Sequence, residues 1–362
     1  MPWGGNDIAN AGDGDDVISG GLGFDTLLGE GGNDTFVVAE PVQSPSGGLF
    51  ETFDGGSGTD TLELRVATNP QFRFPTAFGL LSFYGFSGAT VTSVEKLKFV
   101  SKAEVSISTN FTKTQFEATG INEVIGGAGR DILTLLVSGG GTFTMPSLNL
   151  TNWVSTTTPF LTGGDIVALT VTENGAPANF TLNALEGLAS TQGLTGGSGN
   201  DTLNGSSGTD VLNGGGGINV LNGNAGDDWL AIVNNKQPNG TYSTLTGAGS
   251  SFNGGDGWDV LSIGGEVNFQ GTMSSIEGLH CQAAYTAPGN GPGSQFASVA
   301  YFTAAQISTM PAALDLLGTG TLVIDATDRV SYNISQFDHN PGSAVTAGWG
   351  MTSTTSTMRW IM

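Results

Sequence analysis

Apolar residues recur along this chain with two rhythms, and both predict strand. In residues 4–38, "GGNDIANAGDGDDVISGGLGFDTLLGEGGNDTFVV", Ala9, Ile18, Leu27 and Phe36 stand nine apart, each two places after an aspartate: Asp7, Asp16, Asp25 and Asp34. Residues 196–230, "GGSGNDTLNGSSGTDVLNGGGGINVLNGNAGDDWL", keep the same register, with Asp201, Asp210, Asn219 and Asp228 ahead of Leu203, Leu212, Leu221 and Leu230. From about residue 53 apolar residues alternate instead, as in "DTLELRV", "ATVTSVEKLKFV" and "AEVSISTNF", the period of a half-buried strand. Helical periodicity is nearly absent, so the expected class is all-β.

A fixed period found twice marks stacked units rather than a flexible linker. Two nine-residue units make one coil of turn, strand, turn and strand, so the sixth position stacks on itself in every second unit. Asp7 then lies beside Asp25 and Asp16 beside Asp34, with Asp201 beside Asn219 and Asp210 beside Asp228, each pair a carboxylate clamp. Single copies of the motif stand at "GGSGTDTLEL" (Asp60), "GGAGRDILTL" (Asp131) and "GGDGWDVLSI" (Asp259). Longer modules also resemble one another: "SVEKLKF" at 93–99, "ALEGLAS" at 184–190 and "SIEGLHC" at 275–281, then "FTKTQF" at 111–116 and "FTAAQI" at 302–307. Glu95, Glu186 and Glu277 of these modules are expected in solvent or bonded to turns rather than on a metal. The organisation read from these signals is a β-roll at 1–40, a loop at 41–54, β-solenoid modules at 55–195, a central β-roll at 196–232, a loop at 233–252 and a C-terminal β-solenoid module at 253–362.

Composition narrows the chemistry. Glycine supplies 59 of 362 residues, far above the usual level of about 7%, and it follows no three-residue collagen period. The formal net charge is -22, which repels nucleic acid and anionic membranes and makes cations the natural partners. Cys281 is the single cysteine, so an intramolecular disulfide is excluded. With only His280 and His339 beside it, a four-ligand structural zinc site is not expected. No apolar run reaches the roughly 18 residues of a membrane span. The opening "MPWGGNDIAN" shows neither the basic segment nor the apolar stretch of a cleavable signal, and export by another route is expected.

Glycines in the turns allow positive φ and aim carbonyls inward, so carbonyl and carboxylate oxygens of successive coils converge. Six to eight hard oxygens at about 2.3–2.6 Å suit calcium better than magnesium. The metal-ligand candidates are therefore Asp7, Asp16, Asp25, Asp34, Asp60, Asp131, Asp201, Asp210, Asn219, Asp228 and Asp259. Glu30 and Ala11 replace turn glycines, and Asn219 replaces an aspartate; each is expected to weaken its turn or site.

These nonapeptides resemble the RTX family, whose G-G-x-G-x-D-x-U-x repeats bind calcium in a parallel β-roll. The resemblance is specific over 4–38 and 196–231, and the longer modules look like those of RTX-containing bacterial surface-layer and adhesin proteins. It implies several calcium ions, type I secretion, folding outside the cell and an extracellular or cell-surface location. RTX arrays also accompany enzymes, but neither an H-E-x-x-H helix nor a G-x-S-x-G elbow occurs, and no enzymatic activity is expected. The variable turn positions Asn6, Asp15, Phe24 and Asn33 form no flat row of the kind an ice-binding solenoid needs. A self-assembling structural protein is the reading that remains, with Trp3, Trp349 and Trp360 as candidate anchors of a head-to-tail contact. The alternative is an adhesin that takes cell-surface polysaccharide on loops 286–295 and 72–88, although the aromatic residues of the latter read better as core.

Overall fold

The computed structural model describes residues 4–39, 51–66, 73–76, 79–103, 105–154, 164–172, 178–188, 190–233, 249–264, 266–281, 298–303, 306, 314–318, 320–325, 337–338 and 355–360. The fold is an all-β parallel β-roll and solenoid with a short helix, Lys113–Thr119, among the described residues. Two compact units form: Met1–Val137 with 145–172 and 188–192, and 193–362 with 138–144 and 173–187.

In the first unit the nonapeptide strands sort by alternate units into two sheets, as an eighteen-residue coil requires. Ile8–Asp13, Thr26–Gly31, Thr52–Asp54 and Thr90–Thr92 form one parallel sheet. Val17–Ile18, Thr35–Val38, Thr61–Arg65, Lys96–Val100, Glu123–Ile125 and Asn149–Thr151 form the other. The apolar eighth positions fill the space between them. Ile18, Leu27 and Phe36 are buried, and Phe36 meets Phe53 edge to face at 5.7 Å between centroids, a favoured aromatic geometry. A third parallel set, Gly79–Gly85, Val105–Thr112, Asp131–Val137 and Ile166–Val171, continues the unit.

The second unit repeats the plan. Gly141–Thr144, Phe180–Asn183, Thr202–Asn204, Val220–Ala225, Ser251–Asp256 and Thr272–Ser274 make one parallel sheet. Asp210–Asn213, Trp229–Val233, Val260–Gly264, Gly278–Cys281, Leu314–Gly318 and Phe337–Asp338 stack in parallel as well. Leu203, Leu212, Leu221 and Leu230 are all fully buried. Glu266–Asn268, Ser298–Thr303 and Gly320–Asp325 form a further parallel set, against which Thr355–Trp360 runs antiparallel.

Both segments expected as loops end in strand. Thr52–Asp54 closes the 41–54 segment and Ser251–Asp256 begins inside 233–252. Phe53 pairs with Leu27 and Phe252 with Leu221, so each supplies the apolar eighth position of a coil whose turn has lost its glycine-aspartate signature. The helix is the other departure from a strand-only reading. Thr112 caps it in a reciprocal box with Gln115, a local signal strong enough to start this seven-residue helix. The Gln115 side-chain amide also donates to the Phe86 and Ala89 carbonyls, and Gln306, its counterpart in the matching module, donates to Phe269 and Gly271. Tyr84 and Phe86 of the 72–88 cluster are fully buried, with Phe86 stacked on Phe111 at 4.7 Å. Trp3, Trp349 and the 286–295 loop lie outside the described residues, and Trp360 ends the final described strand.

Glu30 occupies the second position of its turn with φ 71°, a left-handed conformation that costs an L-residue about 1–2 kcal/mol. Glu30→Gly should remove that cost and raise stability by about 1 kcal/mol after the added freedom of the unfolded glycine is counted. Denaturant titration of the two proteins in saturating calcium checks it.

Candidate metal centre

Strands bond to strands across coils, but the turns between them need other acceptors. The sixth-position side chain supplies one. Asp25 Oδ1 accepts the Asp7 N–H at 2.9 Å and Asp34 Oδ1 accepts that of Asp16 at 2.9 Å. The same bond runs from Asp34 N–H to Asp60 Oδ1 at 2.7 Å and from Asp60 N–H to Glu95 Oε2 at 2.7 Å. In the second unit Asp228 Oδ1 accepts from Asp210 at 2.8 Å, Asp259 Oδ1 from Asp228 at 2.9 Å, and Glu277 Oε2 from Asp259 at 2.8 Å. Two columns of one design result: Asp16, Asp34, Asp60 and Glu95, then Asp210, Asp228, Asp259 and Glu277.

The expected pairs thus stand together, but not as closed carboxylate clamps. One oxygen of each later member is taken by the N–H of the earlier coil. Among the described residues no three His, Cys, Asp or Glu side chains gather at one point, so a cation here depends on main-chain oxygens as well. Glu95 and Glu277 bond turns, as does Glu186, which accepts from the N–H and hydroxyl of Ser207. Asp7 is exposed and Asp16 half-buried, since they belong to the outermost described coil, whereas Asp25, Asp34, Asp60, Asp131, Asp201, Asp210, Asp228 and Asp259 are all buried.

Asp131 stands apart from the columns. Its Oδ2 accepts from the Gly127 N–H and the Ser101 hydroxyl, and its own N–H donates to Asp165 Oδ1 at 2.7 Å. Asp165, Glu51 and Ser250 were not legible as turn residues because no glycine motif precedes them. The signal that reveals them is position alone, since each immediately precedes a strand. A second ladder runs along the turn rim, unmarked by the nine-residue period. Fifth-position side chains accept from the next coil, as in Phe24 N–H to Asn6 Oδ1 at 3.0 Å, Asn33 N–H to Asp15 Oδ1 at 2.7 Å and Trp258 N–H to Asp227 Oδ1 at 2.9 Å.

The donor set fits calcium. Asp34, Asp60, Asp228 and Asp259 each keep a buried Oδ2 without a hydrogen-bond partner, in a chain where such atoms are costly. Each lies close to a carbonyl of the following coil. A β-carbon on Gly223 would stand 2.3 Å from both Asp228 Oδ2 and the Gly254 carbonyl oxygen, and one on Gly29 would stand 2.3 Å from Asp34 Oδ2 and 2.6 Å from the Gly55 oxygen. Turn conformation separates two cases. In Gly254–Asp259 the second and fourth residues are left-handed, Gly255 at φ 113° and Gly257 at φ 137°, and Asp259 Oδ2 is free of hydrogen bonds. In 205–210 the second residue is Ser206, whose N–H and hydroxyl both donate to Asp210 Oδ2, at 2.6 and 2.9 Å.

Burial, the largest cause in each case, raises the carboxyls well above the usual range: Asp228 to about 8, Asp131 to about 7, and Asp210 and Asp259 to about 6. Neighbouring carboxylates add to this at Asp228 and Asp259. A folded-state value above the unfolded value near 3.9 means that protonation favours the fold. The ion-free protein should therefore be most stable below about pH 4 and lose stability as pH rises through 6 to 8. In saturating calcium that loss should vanish, because the ion replaces the proton. Thermal melts across this range, with and without calcium, check the sign.

The RTX calcium-binding nonapeptide repeat family matches the chain in four copies, over residues 4–36 and 194–221. No curated protein and no solved structure matches it. The chain carries RTX repeats, and these repeats bind calcium ions.

Proposed function

We propose that this RTX-bearing chain is a secreted, non-catalytic structural protein that folds on calcium outside the cell and joins head to tail with copies of itself, forming a filament, surface layer or matrix at a bacterial cell surface. Its ligands are drawn from Asp7, Asp16, Asp25, Asp34, Asp60, Asp131, Asp201, Asp210, Asn219, Asp228 and Asp259 together with turn carbonyls. Calcium-linked folding is supported by the aspartates buried with unpartnered oxygens: an ion that binds only the folded state stabilises it by mass action. Among the described residues, no helix is long and apolar enough to cross a membrane.

The observation that carries assembly is the outermost coil. Ile8–Asp13 and Val17–Ile18 each have a described strand on one side only, and Ile8 and Val17 are 77% and 75% exposed. A strand edge beside exposed apolar residues favours pairing with another chain. A contact between unlike ends is heterologous, so it propagates unless rotation closes a ring.

Circular dichroism should show strand signal in millimolar calcium and its loss in excess chelator, with magnesium a poor substitute. Light scattering and electron microscopy after calcium addition should show growth that Ile8→Asp with Val17→Asp abolishes while the strand signal stays. A wild type that remains monomeric in calcium removes the assembly reading and leaves the calcium-linked fold.

A further inference from the structure

The two flanks of the roll in the second unit are chemically unlike. On one flank Asp201 is satisfied at both oxygens, by the Phe180 N–H at 2.8 Å and the Gly197 N–H at 2.8 Å. Asn219 Oδ1 accepts the Asp201 N–H at 2.8 Å, while its Nδ2 donates to the Gly216 carbonyl at 2.9 Å. The Asn219 N–H in turn donates to the Ser250 hydroxyl at 3.0 Å. At the rim, Asn200 donates to Asn179 Oδ1 at 2.9 Å and Ile218 to Asn200 Oδ1 at 2.8 Å. Every sixth-position group on this flank has its partner within the chain.

On the opposite flank Asp228 Oδ2 and Asp259 Oδ2 are fully buried and lack any partner. A β-carbon on Gly254 would stand 2.3 Å from Asp259 Oδ2 and 2.0 Å from the Ser275 carbonyl oxygen. The first unit repeats this arrangement independently. Asp34 Oδ2 and Asp60 Oδ2 are unpartnered, and a β-carbon on Gly55 would lie 2.4 Å from Asp60 Oδ2 and 1.9 Å from the Ser93 oxygen. In both units the second and third members of the column carry an unpartnered Oδ2 and a glutamate closes it, whereas Asp210, the first member in the second unit, has its Oδ2 taken by Ser206 and leaves only Oδ1 unpartnered.

We propose that calcium in the second unit is confined to the Asp210–Asp228–Asp259–Glu277 flank, with ions at Asp228 and Asp259, and that the Asp201–Asn219–Ser250 flank is a seam closed by hydrogen bonds without any ion. The equivalent ions of the first unit sit at Asp34 and Asp60. Calcium sites thus extend beyond the repeats that match the family, to Asp60, Asp228 and Asp259, and are missing from two sixth positions, Asp201 and Asn219, that lie within the match. On the seam the Asn219 amide replaces the cation: its Nδ2–H neutralises the carbonyl that would otherwise face an ion. This assignment rests on calcium binding by the repeats.

Calcium titration calorimetry on the full chain tests it. Asp201→Asn should leave the number of bound ions unchanged, whereas Asp228→Asn and Asp259→Asn should each remove one. Asparagine keeps the Oδ1 that accepts the ladder bond, as Asn219 shows, so these variants should retain strand signal in calcium. Asn219→Asp should add an ion and make the ion-free fold less stable, since it removes the internal donor to Gly216. Terbium luminescence gives a readout on the unaltered ligand set. Trp258 adjoins Asp259 in the chain, so tryptophan-sensitised emission should appear, fall on Trp258→Phe and be displaced by calcium. Loss of an ion in Asp201→Asn or an unchanged count in Asp259→Asn would overturn the division of flanks. A wild type that takes up no calcium overturns the parent reading instead.

Discussion

The bond from a turn N–H to an acidic side chain one coil further on is the interaction on which this architecture rests. Strand residues find main-chain partners in the next coil, but a turn residue whose carbonyls point inward leaves its N–H facing a neighbour of the same kind. Leaving such a donor buried and unpaired costs about 1–3 kcal/mol. A short acceptor at the sixth position closes the gap, and aspartate, or asparagine at Asn219, reaches it where a glycine motif shapes the turn. Where the turn is degenerate, as at Glu95 and Glu277, the longer glutamate does so. The solution places carboxylates at the spacing of adjacent strands, about 4.8 Å, inside protein. Desolvation and mutual repulsion then make a cation or a proton part of the folded state.

The two units answer this constraint in the same way. Asp16, Asp34, Asp60 and Glu95 correspond one by one to Asp210, Asp228, Asp259 and Glu277 in their ladder bonds, and the second and third members of both columns hold an unpartnered Oδ2. The glutamine clamps agree as well: Gln115 and Gln306 each hold two carbonyls beside a buried phenylalanine, Phe86 in one case and Phe269 in the other. Such agreement in polar detail goes beyond a shared hydrophobic period and ties the longer modules to the nonapeptide coils as parts of one repeating scheme.

Much of this was legible because a nine-residue period is a strong signal. The pairing of Asp7 with Asp25, Asp16 with Asp34, Asp201 with Asn219 and Asp210 with Asp228 follows from period alone, and the strand register reproduces it. Periodicity fails where the turn is degenerate, so Glu51, Asp165 and Ser250 carry no mark in the sequence beyond standing before a strand. It also fails to distinguish turns of equal motif. Asp210 and Asp259 both end a glycine turn, yet Ser206 donates to one carboxylate and left-handed Gly255 leaves the other open. That difference begins at the second residue of the turn, serine in one and glycine in the other, which a nine-residue apolar period does not register.

The eighteen-residue register also governs how such a chain can change length. Each coil touches only the one before and the one after, so a roll is a ruler whose divisions are identical at both faces. Gain or loss of eighteen residues, as between Gly205 and Asn222, returns every ladder atom to an equivalent neighbour. Gain or loss of nine moves each downstream turn to the opposite flank, setting the asparagine seam against the acidic column. Recombination among near-identical glycine-rich segments would therefore be filtered for even numbers of units, and the length of the roll could drift across generations in whole coils while its chemistry stayed fixed.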